Sequence, residues 1–334
     1  KVPDGVYRGA TTFNGAGNPL VIPVKLTVKG DTIDVDYDGC PPQMPRGGIN
    51  CTMTVTQAET LFALKCIFSP GIRATAGCYR PFTVSAPEGS LLNCQRPASV
   101  NLRRLTMWQF IGMIFRALSG ALPKQVQAYT ALPTLIDLYG LTSNGQVCTD
   151  HIFLGGGQGA SHCQDGKSGL IWPTSAANTS IEMVESRLPV LVTEKSLIAN
   201  SGGGGQFRGG LGQRLRLRPT RNSNHPLMVN VYPEGCGITT DGLHGGRQGG
   251  GTRAFLHSAK NSGFREIETP EMVELTSVDD IIEVHVGGGA GFGPASKREP
   301  ALVRGDVVEG YVSETDSRPS DVQRMAEPEC LLNS

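Results

Sequence analysis

Residues 155–175, GGGQGASHCQDGKSGLIWPTS, form a glycine-rich loop that follows a strand-like stretch. The triplet Gly166-Lys167-Ser168 within it also ends the nucleotide-binding motif GxxxxGK[ST]. Serine occupies position 161, where that motif requires glycine, and the residues after the triplet contain a proline and read as extended. Because a phosphate-binding loop leads directly into a helix, this pattern argues against a nucleotide site. The loop either lines a pocket for another group or is a structural turn.

Glycine is concentrated in several loops of this kind. The chain has 44 glycines among 334 residues, nearly twice the roughly 7% of an average protein. The clusters alternate with ordinary sequence and lie at 155–159, 202–205, 209–212, 245–251 and 287–293. Such clustering indicates tight turns and close backbone approaches in an ordered, loop-rich protein.

The overall composition argues against several classes of partner. Basic and acidic residues number 30 each, so bulk electrostatics gives no reason to expect nucleic acid or an anionic membrane as a partner. No apolar run is long enough for a membrane-spanning helix. The nine scattered cysteines show no disulfide framework and no CxxC pair, which is typical of reduced thiols in the cytoplasm. We therefore expect a cytoplasmic protein.

Hydrophobic periodicity predicts an α+β fold: mixed sheets with packed helices, then a glycine-rich β domain and a short C-terminal helical segment. A strand meander with a turn at Lys29-Gly30-Asp31 is predicted over 6–39, and helices are predicted over 52–70 and 103–123. Short strands at sandwich-like intervals begin near residue 190. We therefore divide the chain into an α+β domain with the glycine-rich pocket loop (1–189), a β-rich domain (190–296), and a C-terminal helix and tail (297–334).

Two glycine-rich loops carry candidate ligand contacts. Lys167 in the first loop supplies one positive charge to an anion or a carbonyl oxygen. In the second loop, 200–214, successive glycine N–H groups are typical of an anion-binding nest, and Arg208 is suited to a bidentate contact. A pair of tight hairpin turns explains the second loop equally well.

Asp150 and His151 are the only neighbouring Asp-His pair. On a strand their side chains point to opposite faces, so the two do not share one metal ion. Each is a candidate substrate contact, with a structural role as the other interpretation. The full set of candidate substrate-binding residues is Asp150, His151, Gly156, Gly157, Asp165, Lys167, Ser168, Asn178 and Arg208.

The residues offer no self-contained metal or hydrolytic motif. The six histidines show no HxH, HxxxH or HExxH spacing, whereas metal sites prefer clustered His and carboxylate ligands. A GxSxG nucleophile elbow is absent from the sequence, and the GGGAGFG stretch at 287–293 lies in no βαβ unit. We therefore predict no metal in this chain and identify no catalytic residue.

Four segments, in this order, resemble the hydantoinase B/oxoprolinase family. They are GCYRPFTVSAPEGSLLN (77–93), DGKSGLIWPTSAANTSIEMVESRLPVLV (165–192), SGGGGQFRGGLGQR (201–214) and GGGAGFGPASKREPALVRGDVVEGYVS (287–313). The family contains the B subunits of ATP-dependent hydantoinases, the C-terminal part of 5-oxoprolinases, and related subunits of acetone and acetophenone carboxylases. Several motifs in register over nearly the whole chain make the resemblance specific.

The resemblance implies that this chain is the C-terminal half of a longer B-type subunit. Family members carry a long N-terminal portion before the PDGVY strand, and by resemblance that portion holds the His/Asp ligands of a divalent metal. Nothing in the present sequence matches it. The implied partners are this N-terminal half, a small-molecule substrate, and an A-type subunit with an actin-like ATPase fold that binds ATP and Mg.

The family chemistry implied by this resemblance is ATP-dependent. The partner subunit phosphorylates the oxygen of a cyclic amide or an enol, and the activated species is then hydrolysed or carboxylated. Glycine N–H groups, Lys167 and Arg208 suit the task of holding such an intermediate away from bulk water. Three functions stay open: part of a cyclic amidohydrolase of the hydantoinase/oxoprolinase type, part of a ketone carboxylase, or a non-catalytic assembly subunit.

Overall fold

The structure, a computed structural model, describes residues 2–15, 18–141, 144–221, 225–233, 242–258 and 263–313. The strands in these ranges are β1 (Gly5–Gly15), β2 (Asn18–Lys29), β3 (Thr32–Asp36), β4 (Phe82–Ser85), β5 (Thr134–Leu141), β6 (Val147–Leu154), β7 (Val190–Leu197), β8 (Gln213–Pro219), β9 (Leu227–Val231), β10 (Arg253–Ser258), β11 (Gly263–Glu266), β12 (Glu271–Leu275) and β13 (Ile281–His285). The helices are α1 (Met53–Phe68), α2 (Ala76–Tyr79), α3 (Arg104–Met107), α4 (Gln109–Leu118), α5 (Ile181–Arg187) and α6 (Pro300–Val308). The predicted α+β fold is confirmed.

The first sheet has the order β1-β2-β3-β4. Its first three strands form the predicted antiparallel meander, and Lys29 pairs with Thr32 across the predicted turn. Gly30 has a φ of 61°, which suits the first position of a two-residue hairpin turn. Strand β4 pairs with β3 in parallel. A partner some fifty residues away supplies this pairing, so local pattern does not reveal it.

One face of this sheet packs against α1 and α4 to form the first core. Alternate residues of β2, among them Ile22 and Leu26, are buried against the apolar face of α4, which includes Phe110 and Ile114. The single helix predicted over 103–123 is wrong in one respect, because α3 and α4 are separate helices with Trp108 between them. The Trp108 ring stacks on Phe153 of β6, with ring centroids 6.1 Å apart.

The second core lies between two sheets of order β12-β9-β5-β6 and β11-β10-β13-β8-β7. Strand β5 pairs with β9, so strands from both sides of residue 190 share one sheet. The predicted boundary at 189/190 therefore does not separate the sheets, and the division of the chain into domains stays a prediction. Strand β11 is short and mostly exposed.

The C-terminal helix predicted from residue 297 is present as α6, with Pro300 in its first turn. The predicted tail after residue 313 lies outside the described residues. In the described part of the chain, no helix is both long and apolar enough to cross a membrane.

Candidate functional site

The glycine-rich loops meet in one hydrogen-bonded bundle, which we call the glycine bundle (residues 127–131, 156–169, 201–212, 242–251 and 286–293). Neighbouring segments are joined by backbone hydrogen bonds: the N–H of Gly157 donates to Gly287 O (2.9 Å), that of Gly210 to Gln158 O (2.8 Å), and that of Gly289 to Gly210 O (2.9 Å). The glycine clusters are therefore far apart in the sequence but adjacent in space.

Glycine is required in this bundle because backbones approach one another closely. A Cβ atom on Gly157 would overlap the backbone of Gly210 and Gly289, and one on Gly210 would overlap the carbonyl group of Lys167. Neither Gly157 nor Gly210 has a positive φ, so space and not backbone strain selects glycine there. The predicted close backbone approaches are confirmed, and they occur between loops as well as within turns.

The same packing engages many amides that the sequence suggested for an anion-binding nest. In the loop 200–214, the N–H of Gly209 donates to Gly203 O (2.9 Å) and that of Gly210 is paired as described above; in the first loop, the N–H of Gly157 is paired as well. Gly156 accepts a hydrogen bond from the N–H of Leu170 through its carbonyl oxygen (2.8 Å). These groups stabilise the bundle, and their contact with a substrate stays a prediction.

The loop 161–169, which we call the lysine loop, is attached to residues 208–211 by a short ladder. Gly166 N–H donates to Arg208 O (2.7 Å), Leu211 N–H donates to the Ser168 hydroxyl (3.0 Å), and Gly169 N–H donates to Leu211 O (3.0 Å). No helix follows Ser168 in this described stretch. Two groups that would bind phosphate in a nucleotide loop, the Gly166 amide and the Ser168 hydroxyl, are thus bonded to the protein. Because no helix follows them either, the loop does not fit ATP.

Lys167 differs from its neighbours in this loop. Its carbonyl oxygen accepts from the N–H of Gln158 (2.8 Å), which fixes the backbone. Its side chain is exposed, and the ammonium forms no hydrogen bond or ion pair with any residue in the described ranges. A rigid loop therefore presents one uncompensated positive charge to solvent.

A buried ion network holds the lysine loop to the C-terminal segment. The guanidinium of Arg298 donates to both carboxylate oxygens of Asp165, at 2.8 Å each, and to Asp306 at 2.7 and 3.1 Å. The backbone N–H of Arg208 donates to Asp165 at 2.7 Å. Burial acts to raise the pKa of Asp165, but the hydrogen bonds from Arg298 and from the Arg208 backbone outweigh it and lower the pKa.

The Arg208 side chain belongs to the same network. It donates to Asp306 at 3.2 Å and to Gly209 O at 2.7 Å, and its guanidinium carbon lies 5.2 Å from the centre of the Tyr311 ring. The side chain is only 8% exposed. The residue predicted as a bidentate ligand contact is thus engaged with protein groups on several sides.

Asn178 organises the start of the first glycine-rich loop. Its side-chain oxygen accepts from Gly155 N–H (3.2 Å) and from the Gln213 amide (3.1 Å), while its own amide donates to Gly169 O (2.9 Å). Gln213 is buried and was not found from the sequence. The sequence gives only a weak indication of its role: Gln213 is a polar residue at a buried position of β8, where the next buried positions hold leucine.

Asp150 and His151 lie apart from the lysine loop, on strand β6. As predicted, they project to opposite faces: Asp150 pairs with Arg187 at 3.1 Å, and His151 is exposed and in register with Asp137 of β5. In the described residues neither side chain is hydrogen-bonded to the lysine loop. The structure therefore gathers Gly156, Gly157, Asp165, Lys167, Ser168, Asn178 and Arg208 around the bundle, but not Asp150 and His151.

An uncharged cleft lies beside the bundle. Its walls come from α4, from residues 127–130 with Leu132, and from Trp172-Pro173. Both tryptophans of the chain line it, together with Phe115 and Tyr129. Of the predicted pocket loop 155–175, Trp172 and Pro173 line this cleft, whereas the glycines at 155–159 do not. The part of the chain that the structure describes holds no group of three or more His, Cys, Asp or Glu side chains suited to a metal ion.

Comparison with known proteins identifies the family to which this chain belongs. The family described as hydantoinase B/oxoprolinase matches residues 1–295, and the chain belongs to it. The chain is 28% identical to the caprolactamase subunit beta of Pseudomonas jessenii over 93% of its own length and 55% of that protein. A 5-oxoprolinase of Pestalotiopsis fici is 26% identical over 83% of the chain and 22% of that protein.

Two solved structures share the fold. The crystal structure of the ATP-dependent caprolactamase from Pseudomonas jessenii gives a TM-score of 0.80 at 27% identity, covering 95% of this chain and 56% of that chain. A nucleotide-free acetone carboxylase gives the same TM-score, 0.80, at 19% identity over 95% of this chain and 49% of that chain, which shows the fold alone. This chain thus spans about half the length of the caprolactamase subunit that it matches.

Proposed function

We propose that this chain is the C-terminal part of a B-type subunit in an ATP-dependent amidohydrolase that opens a cyclic amide. The observation that carries the proposal is the likeness to the caprolactamase subunit beta, which extends over nearly the whole chain in both sequence and fold. The reaction is attributed to a complex with an A-type ATPase subunit and with the N-terminal half of the B-type subunit.

The chemistry explains why ATP is needed. An unstrained amide is a poor electrophile, and transfer of the ATP γ-phosphoryl group to its oxygen creates a leaving group. Water then adds to the carbon, the ring C–N bond breaks as nitrogen takes a proton, and a further water releases phosphate. ATP and Mg bind the A-type partner in this proposal, because the Gly166 amide and the Ser168 hydroxyl are already bonded within the protein. A divalent metal belongs to the N-terminal half.

Within this scheme Lys167 is the residue that contacts the phosphorylated intermediate. Its ammonium is exposed and has no partner among the described residues, so it has a charge available for a dianionic group. The hydrogen-bonded bundle behind it keeps the loop in one place, which is the condition for electrostatic stabilisation of developing charge.

Ketone carboxylation is the second candidate, because the resemblance to the family extends to subunits of ketone carboxylases; the likeness to acetone carboxylase itself shows the fold alone. The two candidates differ in their products. The complex reconstituted with both partners is incubated with ATP and either a lactam or hydantoin, or acetone with labelled bicarbonate. Ring-opened amine without label incorporation supports the amidohydrolase, and labelled carboxylate from the ketone contradicts it.

A non-catalytic assembly role is the third candidate. Substituting Lys167→Met removes the charge while keeping much of the side-chain length, and Lys124→Met changes an exposed lysine outside the bundle as a control. We expect Lys167→Met, unlike the control, to lower the rate by about 10²-fold or more, the scale of a lost electrostatic contact. Full activity in the Lys167→Met and Arg208→Met variants, with assembly intact, would support the scaffold.

A further inference from the structure

The lysine loop has little apolar packing of its own. None of the residues 161–168 is fully buried, and Cys163, Gln164 and Lys167 are exposed. Burial of apolar surface therefore contributes little to holding the loop in one conformation. Polar contacts have to do this, and the strongest side-chain contact is the bidentate pair between Asp165 and Arg298.

This pair is part of a network of ion pairs that extends to helix α6. Asp306 lies between two guanidinium groups, at 2.7 Å from Arg298 and 3.2 Å from Arg208. The side chains of Arg298, Arg208 and Asp306 are each 10% exposed or less. Substituting one of these side chains would leave a poorly solvated charge without its partner, which is energetically costly. The three side chains therefore stabilise one another in their observed positions.

We infer that Arg298 and Asp306 are positioning residues for Lys167. Arg298 fixes Asp165, two residues before Lys167, and Asp306 fixes Arg298. Both lie in the C-terminal segment, so this segment sets the position of a charge in the body of the fold. The identity of the group that Lys167 meets rests on the proposed function, whereas the positioning rests on these contacts alone.

The positioning is tested by hydrogen exchange on the full chain. In Arg298→Gln, the amides of residues 166–169 are expected to exchange at least about tenfold faster than in the wild type, because the loop loses its anchor. The control is Arg253→Gln, which breaks another bidentate pair, with Glu266 at 2.9 and 2.7 Å, in a strand far along the chain. Unchanged exchange at 166–169 in Arg298→Gln overturns the inference.

Two further variants separate positioning from general loss of structure. Asp306→Asn keeps the shape of the side chain and is expected to speed exchange at 166–169 to a smaller extent than Arg298→Gln. Arg298→Lys keeps the charge without the planar fork and is expected to restore part of the protection. If every variant loses protection equally across the whole chain, the network stabilises the fold without positioning the loop, and the inference is wrong.

A double variant in the reconstituted complex tests whether Arg298 acts through Lys167. If it does, Arg298→Gln combined with Lys167→Met lowers kcat no further than Lys167→Met alone, whereas multiplied effects contradict the inference. Failure of the proposed function is distinguishable, because it would abolish ATP-dependent ring opening in the wild type while leaving the exchange result intact.

Discussion

At the scale of single residues, the glycines of the bundle are defined by what surrounds them. The closest groups to a Cβ on Gly157 or Gly210 are backbone atoms of other loops, which cannot rotate aside as a side chain does. The sequence shows that glycine is abundant, but at each of these positions the need for glycine arises from contact with a segment that is distant in the sequence. This is why the clusters were open to interpretation as ligand nests.

Gly157→Ala is therefore expected to destabilise the protein strongly. The added methyl group forces backbone segments apart, and overpacking against rigid neighbours costs about 3 kcal/mol or more. Gly71→Ala is the control, because nothing lies within 4 Å of its Cβ position. Urea unfolding of the two variants measures the difference, and equal midpoints would contradict the close approach.

Glu283 provides a residue-scale test of electrostatics away from the bundle. A hydrogen bond with His285 (2.6 Å), together with the nearby charges of Arg216 and Arg214, lowers the pKa of Glu283 to about 2, although burial opposes this. A lowered carboxyl pKa gives stability that is present above the unfolded-state pKa and is lost as the pH falls.

We expect the wild type to lose stability on acidification from pH 4.5 towards pH 2 more steeply than Glu283→Gln. The difference follows because the glutamine has no proton to take up in that window. Free energies of unfolding at several pH values check this expectation. Parallel pH profiles for the two proteins would show that the carboxylate is not specially stabilised in the folded state.

At the scale of elements, α6 contains a residue of low helix propensity, Gly305, next to a residue with strong tertiary contacts, Asp306. Gly305 lies inside the helix with no atom near its Cβ position, whereas the next residue, Asp306, is buried in the ion network. Substitutions at these adjacent positions thus separate local propensity from tertiary contact.

Gly305→Ala is expected to raise the free energy of unfolding by about 0.5–1 kcal/mol, since alanine is the better helix former. Asp306→Ala is expected to lower it by about 3 kcal/mol or more, because Arg208 and Arg298 lose a shared buried partner. Chemical denaturation of both variants provides the measurement. Similar shifts of the same sign would mean that α6 contributes little through the network.

Local pattern explains which elements could be predicted. The meander of β1 to β3, helix α1 and the C-terminal helix follow from alternation, helical spacing and turn residues within short windows. Strand β4 depends on a distant parallel partner. Likewise the loop sequence is enough to predict Lys167 as a candidate contact, whereas Arg298, 133 residues from Asp165, leaves no local signal of its ion pair.

At the scale of the whole molecule, the glycine bundle connects regions that the sequence separates. Segments from 127–131 to 286–293 are hydrogen-bonded to one another, and strands on both sides of residue 190 share a sheet. The chain nevertheless spans only about half the length of the relative that supports its proposed function. In the proposed function, the reaction therefore belongs to an assembly to which this chain supplies a charged loop.

ATP-coupled ring opening by that assembly is the most direct test. The A-type subunit, the N-terminal half and this chain are combined with a lactam and ATP, and ADP and ring-opened product are measured together. The proposed function predicts equal amounts of both, with neither product formed when this chain is omitted, and with both formed about 10²-fold more slowly when it carries Lys167→Met. Ring opening without ATP, or undiminished coupled turnover with Lys167→Met, would contradict it.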